Sequence, residues 1–260
     1  MHTDKKRAED LTVVENRKIN KDYYVLKLGA KNDLPQILPG HFVELLVEDT
    51  RNAFLRRPIS IYDVQSECNS FELLIQIVGE GTRLMSNLQS GDTINVMYPL
   101  GNGFTTKTNA KNVLLVGGGV GVAPLLYLAK QLNEKGIRPN ILLGGRAADN
   151  IIEIDNFSKY GEVFISTEDG SVGEKGFVTQ HSVLNKEIDK IYTCGPDLMM
   201  RAVADIAFKQ NIDCEVSLEN MMACGIGACL CCVTDTKEGH KCVCTDGPVF
   251  NTKELKWNLA

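Results

Sequence analysis

No apolar run in these 260 residues is long and unbroken enough to cross a bilayer, which takes roughly 20 predominantly apolar residues. The longest, VLLVGGGVGVAPLLYLA, is interrupted by glycines and a proline and flanked by Lys111 and Lys130, so it reads as strand, loop and helix. Nor does one charge prevail. With 28 basic and 33 acidic side chains, the formal net charge is −5, which gives no reason to expect nucleic acid or an acidic membrane as partner. The opening MHTDKKRAED is too polar for a secretory leader, so the expected compartment is the cytoplasm. There is no internal repeat and no low-complexity linker. His41, His181 and His240 have no constellation around them and are expected to be surface or satisfied core residues. What remains is ordinary globular composition, 43% hydrophobic and 23% charged, with length for one or two domains and a sizeable core.

Cysteine is the exception. The chain has nine, an odd number, and Cys224, Cys229, Cys231, Cys232, Cys242 and Cys244 crowd into one stretch near its end. In a reducing compartment disulfides are poor candidates, and a dense local cluster points to metal. Cys224, Cys229 and Cys232 give C-x4-C-x2-C, with Cys242 or Cys244 about a dozen residues on, the ligand spacing of plant-type 2Fe–2S centres. Gly225, Gly227 and Ala228 let such a loop wrap closely and aim backbone N–H groups at sulfur. Structural zinc also takes four thiolates, but it usually pairs them as two C-x2-C units, and here the leading gap is four. A set of buried free thiols is the third reading. Spacing does not choose between Cys242 and Cys244. Cys231, beside a ligand, is expected to serve core or surface packing, while Cys68 and Cys214 read as small buried hydrophobes.

The rest of the chain divides by rhythm. Residues 1–105 are β-rich: short apolar runs such as HFVELLV and FELLIQIV alternate with turn signals at Pro39-Gly40 and Ser90-Gly91-Asp92, which suggests a sandwich or barrel. A short helix is expected after Gly81, through TRLMSNL. Residues 106–215 alternate strand and helix, the pattern of a parallel sheet covered on both faces. Residues 216–260 form the cysteine-rich segment.

Nucleotide signals sit in both larger segments. Gly117-Gly118-Gly119-Val120-Gly121 follows a strand and opens a helix at Ala123-Pro124, so backbone can approach a pyrophosphate. A plain strand–helix corner is the competing account. Thr193-Cys194-Gly195-Pro196 ends a second strand at the same expected sheet edge, which favours a dinucleotide and puts Cys194 near a nicotinamide rather than merely in a core. In the β segment, Arg56-Arg57-Pro58-Ile59-Ser60 places cations at a constrained turn, and Gly79-Glu80-Gly81-Thr82 precedes the short helix. Singly RRP is a solvated charged turn; together the two suit a flavin diphosphate.

In combination, RPIS, GEGT, GGGVGVAP, CGP and a cysteine cluster ending CTDGPVF resemble the electron-transfer subunits of NAD-dependent dihydroorotate dehydrogenases, within the ferredoxin reductase superfamily. The resemblance covers nearly the whole chain after the first ten residues. It implies a multidomain β plus α/β fold: an antiparallel FAD-binding barrel (1–105), a parallel-sheet NAD-binding domain (106–215) and a small ferredoxin-like 2Fe–2S lobe (216–260). FAD would be held by Arg57, Pro58, Ile59, Ser60, Gly81 and Thr82, and lined by Leu74, Ile75 and Gln76. NAD, as substrate, would meet Gly118, Gly119, Gly121, Cys194, Gly195 and Pro196. The resemblance also selects the fourth metal ligand, giving Cys224, Cys229, Cys232 and Cys244. Many superfamily members carry an aromatic where this chain has Ile59.

The implied partner is an FMN-containing dihydroorotate dehydrogenase catalytic subunit, in a heterotetramer of two copies each, with no nucleic acid and no membrane. Nicotinamide carries electrons in pairs and a 2Fe–2S cluster singly, and a flavin exchanges both ways, so the three carriers form a converter. Other readings keep the cofactors but change the partner, to a hydrogenase, sulfide dehydrogenase or transhydrogenase, or reduce the chain to a zinc-stapled binding module. Glu168 and Asp169 would favour NAD over NADP by repelling a 2′-phosphate.

Overall fold

A computed structural model describes residues 6–48 and 54–259; the first five residues of the polar opening lie outside the described residues. Six strands close into a barrel: β1 (Arg7–Lys18), β2 (Tyr23–Gly29), β3 (Phe42–Leu45), β4 (Arg57–Gln65), β5 (Ser70–Gln76) and β6 (Thr93–Leu100), in the order β1-β2-β5-β4-β3-β6. All neighbours are antiparallel. Inward-facing Leu11, Val13, Leu26, Leu28, Val43, Leu45, Ile61, Phe71, Leu73, Ile75, Val96 and Tyr98 fill the interior. Each such buried side chain stabilises by about 1.5–3 kcal/mol. Closure also removes the edges of an open sheet. A short helix, α1 (Glu80–Met85), bridges β5 and β6 and ends before the SNL that the sequence pattern would include.

The RPIS segment corrects an expectation. Arg57 to Ser60 are not a turn but the start of β4, paired with β3 from Arg57 opposite Leu45 to Ser60 opposite Phe42. Toward β5 the ladder begins only at Ile61 opposite Leu73. Over residues 57–60, β4 is therefore paired on one side alone, a stretch where proline is tolerated in a strand. This parting leaves 57–60 and 74–76 as the two flanks of one opening.

The second sheet begins with β7 (Val113–Gly118), α2 (Ala123–Glu134), β8 (Asn140–Gly145), α3 (Ile154–Ser158), β9 (Glu162–Thr167) and β10 (Glu174–Lys175). It continues with β11 (Lys190–Cys194), α4 (Asp197–Lys209) and β12 (Asp213–Ser217). Beyond these, β13 (Val233–Thr236) and β14 (Gly239–Cys242) make a hairpin, and β15 (Val249–Asn251) returns to pair antiparallel with β12. The sheet order is β10-β9-β8-β7-β11-β12-β15, parallel up to β12. The chain winds outward in one direction from β7 and in the other from β11, so the strand order reverses between them. Ligands of open parallel sheets bind outside the carboxyl ends at such a reversal.

Barrel and sheet share a core. Tyr23, Val25, Tyr62 and Leu74 of the barrel pack with Val122, Leu125, Leu126 and Ala129 of the α2 region. Lys130 on α2 donates to Asp63 Oδ1 and to the Val64 carbonyl on β4, both at 2.9 Å. The cysteine segment has its own core, in which Cys232, Val243 and Cys244 meet Phe42 and Leu100 of the barrel and Val216, Leu218 and Phe250 of the sheet. It is thus wedged between the other two bodies.

Candidate metal centre and nucleotide sites

Four cysteines share one feature in the segment 224–244: each sulfur lies within reach of a backbone N–H. Cys229 N–H points to Cys224 Sγ at 3.4 Å, Cys231 N–H to Cys229 Sγ at 3.5 Å, Cys244 N–H to Cys232 Sγ at 3.4 Å, and Gly227 N–H to Cys244 Sγ at 3.2 Å. Burial raises the Cys224 thiol, but N–H groups of Ile226, Cys229 and Ala228 outweigh it and pull it down to about 6. Burial pushes the Cys244 thiol up to about 12, with Cys232 adding to the effect. The loop wraps tightly because Gly225 (φ 66°) and Gly227 (φ 81°) take left-handed conformations; Leu230 (φ 58°) takes one too, at a cost of order 1–3 kcal/mol. Cys232 and Cys244 are buried, Cys224 is half-buried and Cys229 exposed. Among the described residues, no three His, Cys, Asp or Glu side chains are gathered at single-ion distance. The donor set fits an iron–sulfur cluster, whose ligands are thiolates and whose sulfurs take N–H hydrogen bonds.

Cys242 is different. Its own N–H donates to Asp246 Oδ2 at 2.7 Å, and its thiol is raised by burial and then by Cys232 and Asp246. Cys231 is exposed and Cys214 buried, as the sequence suggests; Cys68 is exposed, against expectation, because it ends a single turn over Ser66–Cys68 that has no buried face.

The barrel opening gathers the first set of nucleotide residues. Arg57, Pro58, Ile59 and Ser60 flank it on β4, and Leu74, Ile75 and Gln76 on β5. Ile75 points into the barrel core and Leu74 into the core shared with α2, so neither is free on the opening's surface. Gly81 lies under Arg57: a Cβ there would fall 2.9 Å from Arg57 Nε. Thr82 accepts from Val78 N–H at 3.0 Å and Gly79 N–H at 3.2 Å through its hydroxyl, and its carbonyl accepts from the Tyr24 hydroxyl at 2.9 Å. The Arg57 cation over the start of α1 suits a diphosphate. Arg56 is instead engaged by the Glu44 carbonyl and by Asn95.

The second set meets at the sheet reversal. Cys194 on β11 is opposite Gly117 on β7, so the two loops leave adjacent strand ends. They touch: a Cβ on Gly121 would sit 2.4 Å from Gly195 Cα and 2.6 Å from its nitrogen. Gly118 is similarly closed by Met199 Sδ at 2.6 Å, Gly119 takes φ 57°, and Pro196 is exposed. Two backbones this close leave only N–H groups and glycine hydrogens to face a ligand, the surface a pyrophosphate needs. Cys194 is fully buried, and burial, then Glu219, pushes its thiol well above the ordinary value.

Comparison with known proteins agrees along the whole chain. Residues 10–104 match the family model for an oxidoreductase FAD-binding domain, 115–205 that for an oxidoreductase NAD-binding domain, and 219–256 that for the iron–sulfur cluster binding domain of dihydroorotate dehydrogenase B. The dihydroorotate dehydrogenase B (NAD(+)) electron transfer subunit of Fusobacterium nucleatum is 43% identical, over 96% of this chain and 99% of its own length. That of Caldanaerobacter subterraneus is 42% identical, over 94% and 96%. The chain belongs to this family. Among solved structures, one chain of the NADH-dependent reduced ferredoxin-NADP oxidoreductase aligns with a TM-score of 0.85 and 31% identity, covering 95% of this chain and 90% of that one. The cytochrome b5 reductase domain of Ulva prolifera nitrate reductase shares the fold, with a TM-score of 0.67 at 15% identity over 79% of this chain and 94% of that one. As a member of the electron transfer subunit family, the chain is an NAD-linked flavin and iron–sulfur oxidoreductase subunit. No helix among the described residues is long and apolar enough to cross a membrane.

Family membership gives several residues missed by sequence reasoning a context. Met199 closes on Gly118 and Gly195, and Glu219 Oε1 lies 3.8 Å from Cys194 Sγ. Asn102 clasps the CTDGPVF stretch to the barrel through the carbonyls of Thr245 and Asp246, both at 3.0 Å. Glu44 is fully buried on β3. Its one sequence signal is an acid inside the apolar run HFVELLV.

Proposed function

We propose that this chain takes electrons from an FMN-containing dihydroorotate dehydrogenase subunit and delivers them to NAD, with a 2Fe–2S cluster and FAD as its own carriers, in pyrimidine biosynthesis. The observation that carries this reading is the set of four thiols, each under a backbone N–H, in a segment wedged between β3 and β6 of the barrel and the β12–β15 edge of the sheet. When bound, FAD supplies exchange of single electrons with a cluster and of a hydride with nicotinamide.

The chain's residues do the placing. Cys224, Cys229, Cys232 and Cys244 would hold the iron. Arg57, with Gly81 and Thr82 beneath it, would bind the FAD diphosphate, and Pro58, Ile59, Ser60 and Gln76 would border the ring, with Leu74 and Ile75 contributing backbone. Gly118, Gly119, Gly121, Gly195 and Pro196 would cradle the NAD pyrophosphate and seat nicotinamide near Cys194. The corresponding division is a barrel unit (1–105), a sheet unit (106–215) and a cluster segment (216–260). The segment that carries exposed Cys229 also exposes Met221, Ile226 and Leu230, apolar side chains that suit docking of the catalytic subunit where the cluster is most accessible. Two copies of each subunit would form the complex. Nine unpaired thiols suit a cytoplasmic setting.

Co-expression with an FMN-containing dihydroorotate dehydrogenase tests the reading. The expected result is a stable complex containing iron and FAD that reduces NAD when given dihydroorotate. Pure protein that contains zinc, no iron and no flavin would overturn it. A complex active only with a different electron donor would transfer the same carriers to another partner.

A further inference from the structure

Glu44 is an acid buried on β3: it is 0% exposed, and neither carboxyl oxygen has a hydrogen-bond partner among the described residues. Burying a charged carboxylate in this way is strongly unfavourable, whereas a neutral acid needs only one acceptor for its O–H. Arg56 and Arg57, the cations whose charge acts on it, oppose the effect of burial but make no hydrogen bond to either oxygen. Arg56 is spent on the Glu44 backbone carbonyl and on Asn95, and the Arg57 guanidinium donates to the carbonyls of Leu55 and Arg56.

The position is specific. Glu44 lies opposite Pro58 on one side and Met97 on the other, on the face of β3 that also carries Phe42 into the core of the cysteine segment. The cluster loop lies directly over it: a Cβ on Gly225 would fall 2.9 Å from Glu44 Cγ and 3.3 Å from its Oε1. Gly225 follows Cys224 immediately. A buried, unpaired acid is thus pressed against the loop that would hold an anionic cluster, beside the strand that flanks the barrel opening.

We infer that Glu44 is held as a neutral acid and donates its O–H to a sulfur of the cluster seated on the Cys224–Gly225 loop, which raises the cluster's reduction potential. Hydrogen bonds to cluster sulfur are one of the levers that set such potentials. Burial next to negative charge is what keeps a carboxyl protonated, and a cluster bound on this loop would bring the two conditions together. The inference rests on the proposed 2Fe–2S reading and adds a residue that none of the four ligand positions includes.

The test is a dye-mediated redox titration of the purified holoprotein, followed by visible absorbance and by the EPR signal of the reduced cluster, with iron and FAD content measured first. Glu44→Gln keeps a donor of the same shape and is expected to hold the wild-type potential. Glu44→Met removes the donor and is expected to lower the reduced-to-oxidised ratio at fixed ambient potential about tenfold, which is about 59 mV for a one-electron couple. Loss of the cluster from Glu44→Met with retention in Glu44→Gln would also support the donor role. Three outcomes overturn it: equal potentials in all three proteins, a positive shift in Glu44→Gln (the signature of a removed charge), or loss of the cluster from Glu44→Gln as well. Wild-type protein without iron would instead sink the cluster reading itself.

Discussion

Cys242 and Cys244 are two positions apart, yet their surroundings differ in kind. Cys244 is buried, receives the Gly227 N–H on its sulfur and gives its own N–H to Cys232 Sγ. Cys242 turns its N–H to Asp246, and among the described residues no backbone N–H is seen on its sulfur. Thiolates that bind iron are those whose charge is met by nearby N–H groups. Cys244→Ser is therefore expected to lose the cluster's visible absorbance and most of the iron, while Cys242→Ser keeps both; iron assay and the absorbance spectrum decide. A reversed result would move the fourth ligand to Cys242. At this scale spacing alone left the two tied, because a hairpin of unknown register lies before them. Glu44 shows the same limit. Its chemistry comes from a contact with Gly225 far along the chain, and no local pattern encodes that.

The loops proposed to bind NAD are held by backbone proximity rather than by side chains. The loops after β7 and β11 approach so closely that Gly121 has no room for a methyl group, with Gly195 backbone within 2.4–2.6 Å of where it would stand. Backbone cannot yield as a flexible side chain does, so Gly121→Ala must separate the loops. Overpacking of this kind costs about 1–3 kcal/mol. The KM for NADH in a diaphorase assay is expected to rise about tenfold to a hundredfold, because each 1.4 kcal/mol is a factor of ten. FAD and iron content should be unchanged; loss of FAD instead would mean that the glycine serves the barrel. The strands and helices of this sheet were legible because buried parallel strands read as continuous apolar runs and α2 and α4 as long apolar-faced helices. The start of β4 was not, since Arg-Arg-Pro signals a turn unless one knows that the strand is unpaired on one side there. Strands β13 to β15 are three or four residues long, too short for any period to appear in sequence.

Across the whole molecule, the relay depends on the barrel and the sheet keeping a fixed orientation, and a charged latch spans them. Arg17 on β1 donates from Nη1 and Nη2 to the two oxygens of Glu153, each at 3.0 Å, and the Tyr62 hydroxyl of β4 adds a third bond at 3.0 Å. Glu153 takes φ 59°, costly outside glycine, just before α3. A strained residue holding three partners across two bodies fits a locking role. Burial alone would raise its carboxyl, but Arg17, Tyr62 and Asn156 together hold it below the ordinary carboxylate range. A carboxyl lowered by folding contributes stability that is complete above its unfolded value and fades as pH falls through the lower folded value. The Arg17 side chain is 43% exposed, so solvent screening reduces the latch to about 1–2 kcal/mol. Arg17→Ala is expected to lower the thermal midpoint of the holoprotein by about 2–6 °C at neutral pH. That gap should be full well above the ordinary carboxylate range and narrow as pH falls through and below that range, as Glu153 takes up its proton in both proteins. A gap that widened in acid, or that was absent at neutral pH, would show that the shared apolar core around α2 sets the orientation without the latch.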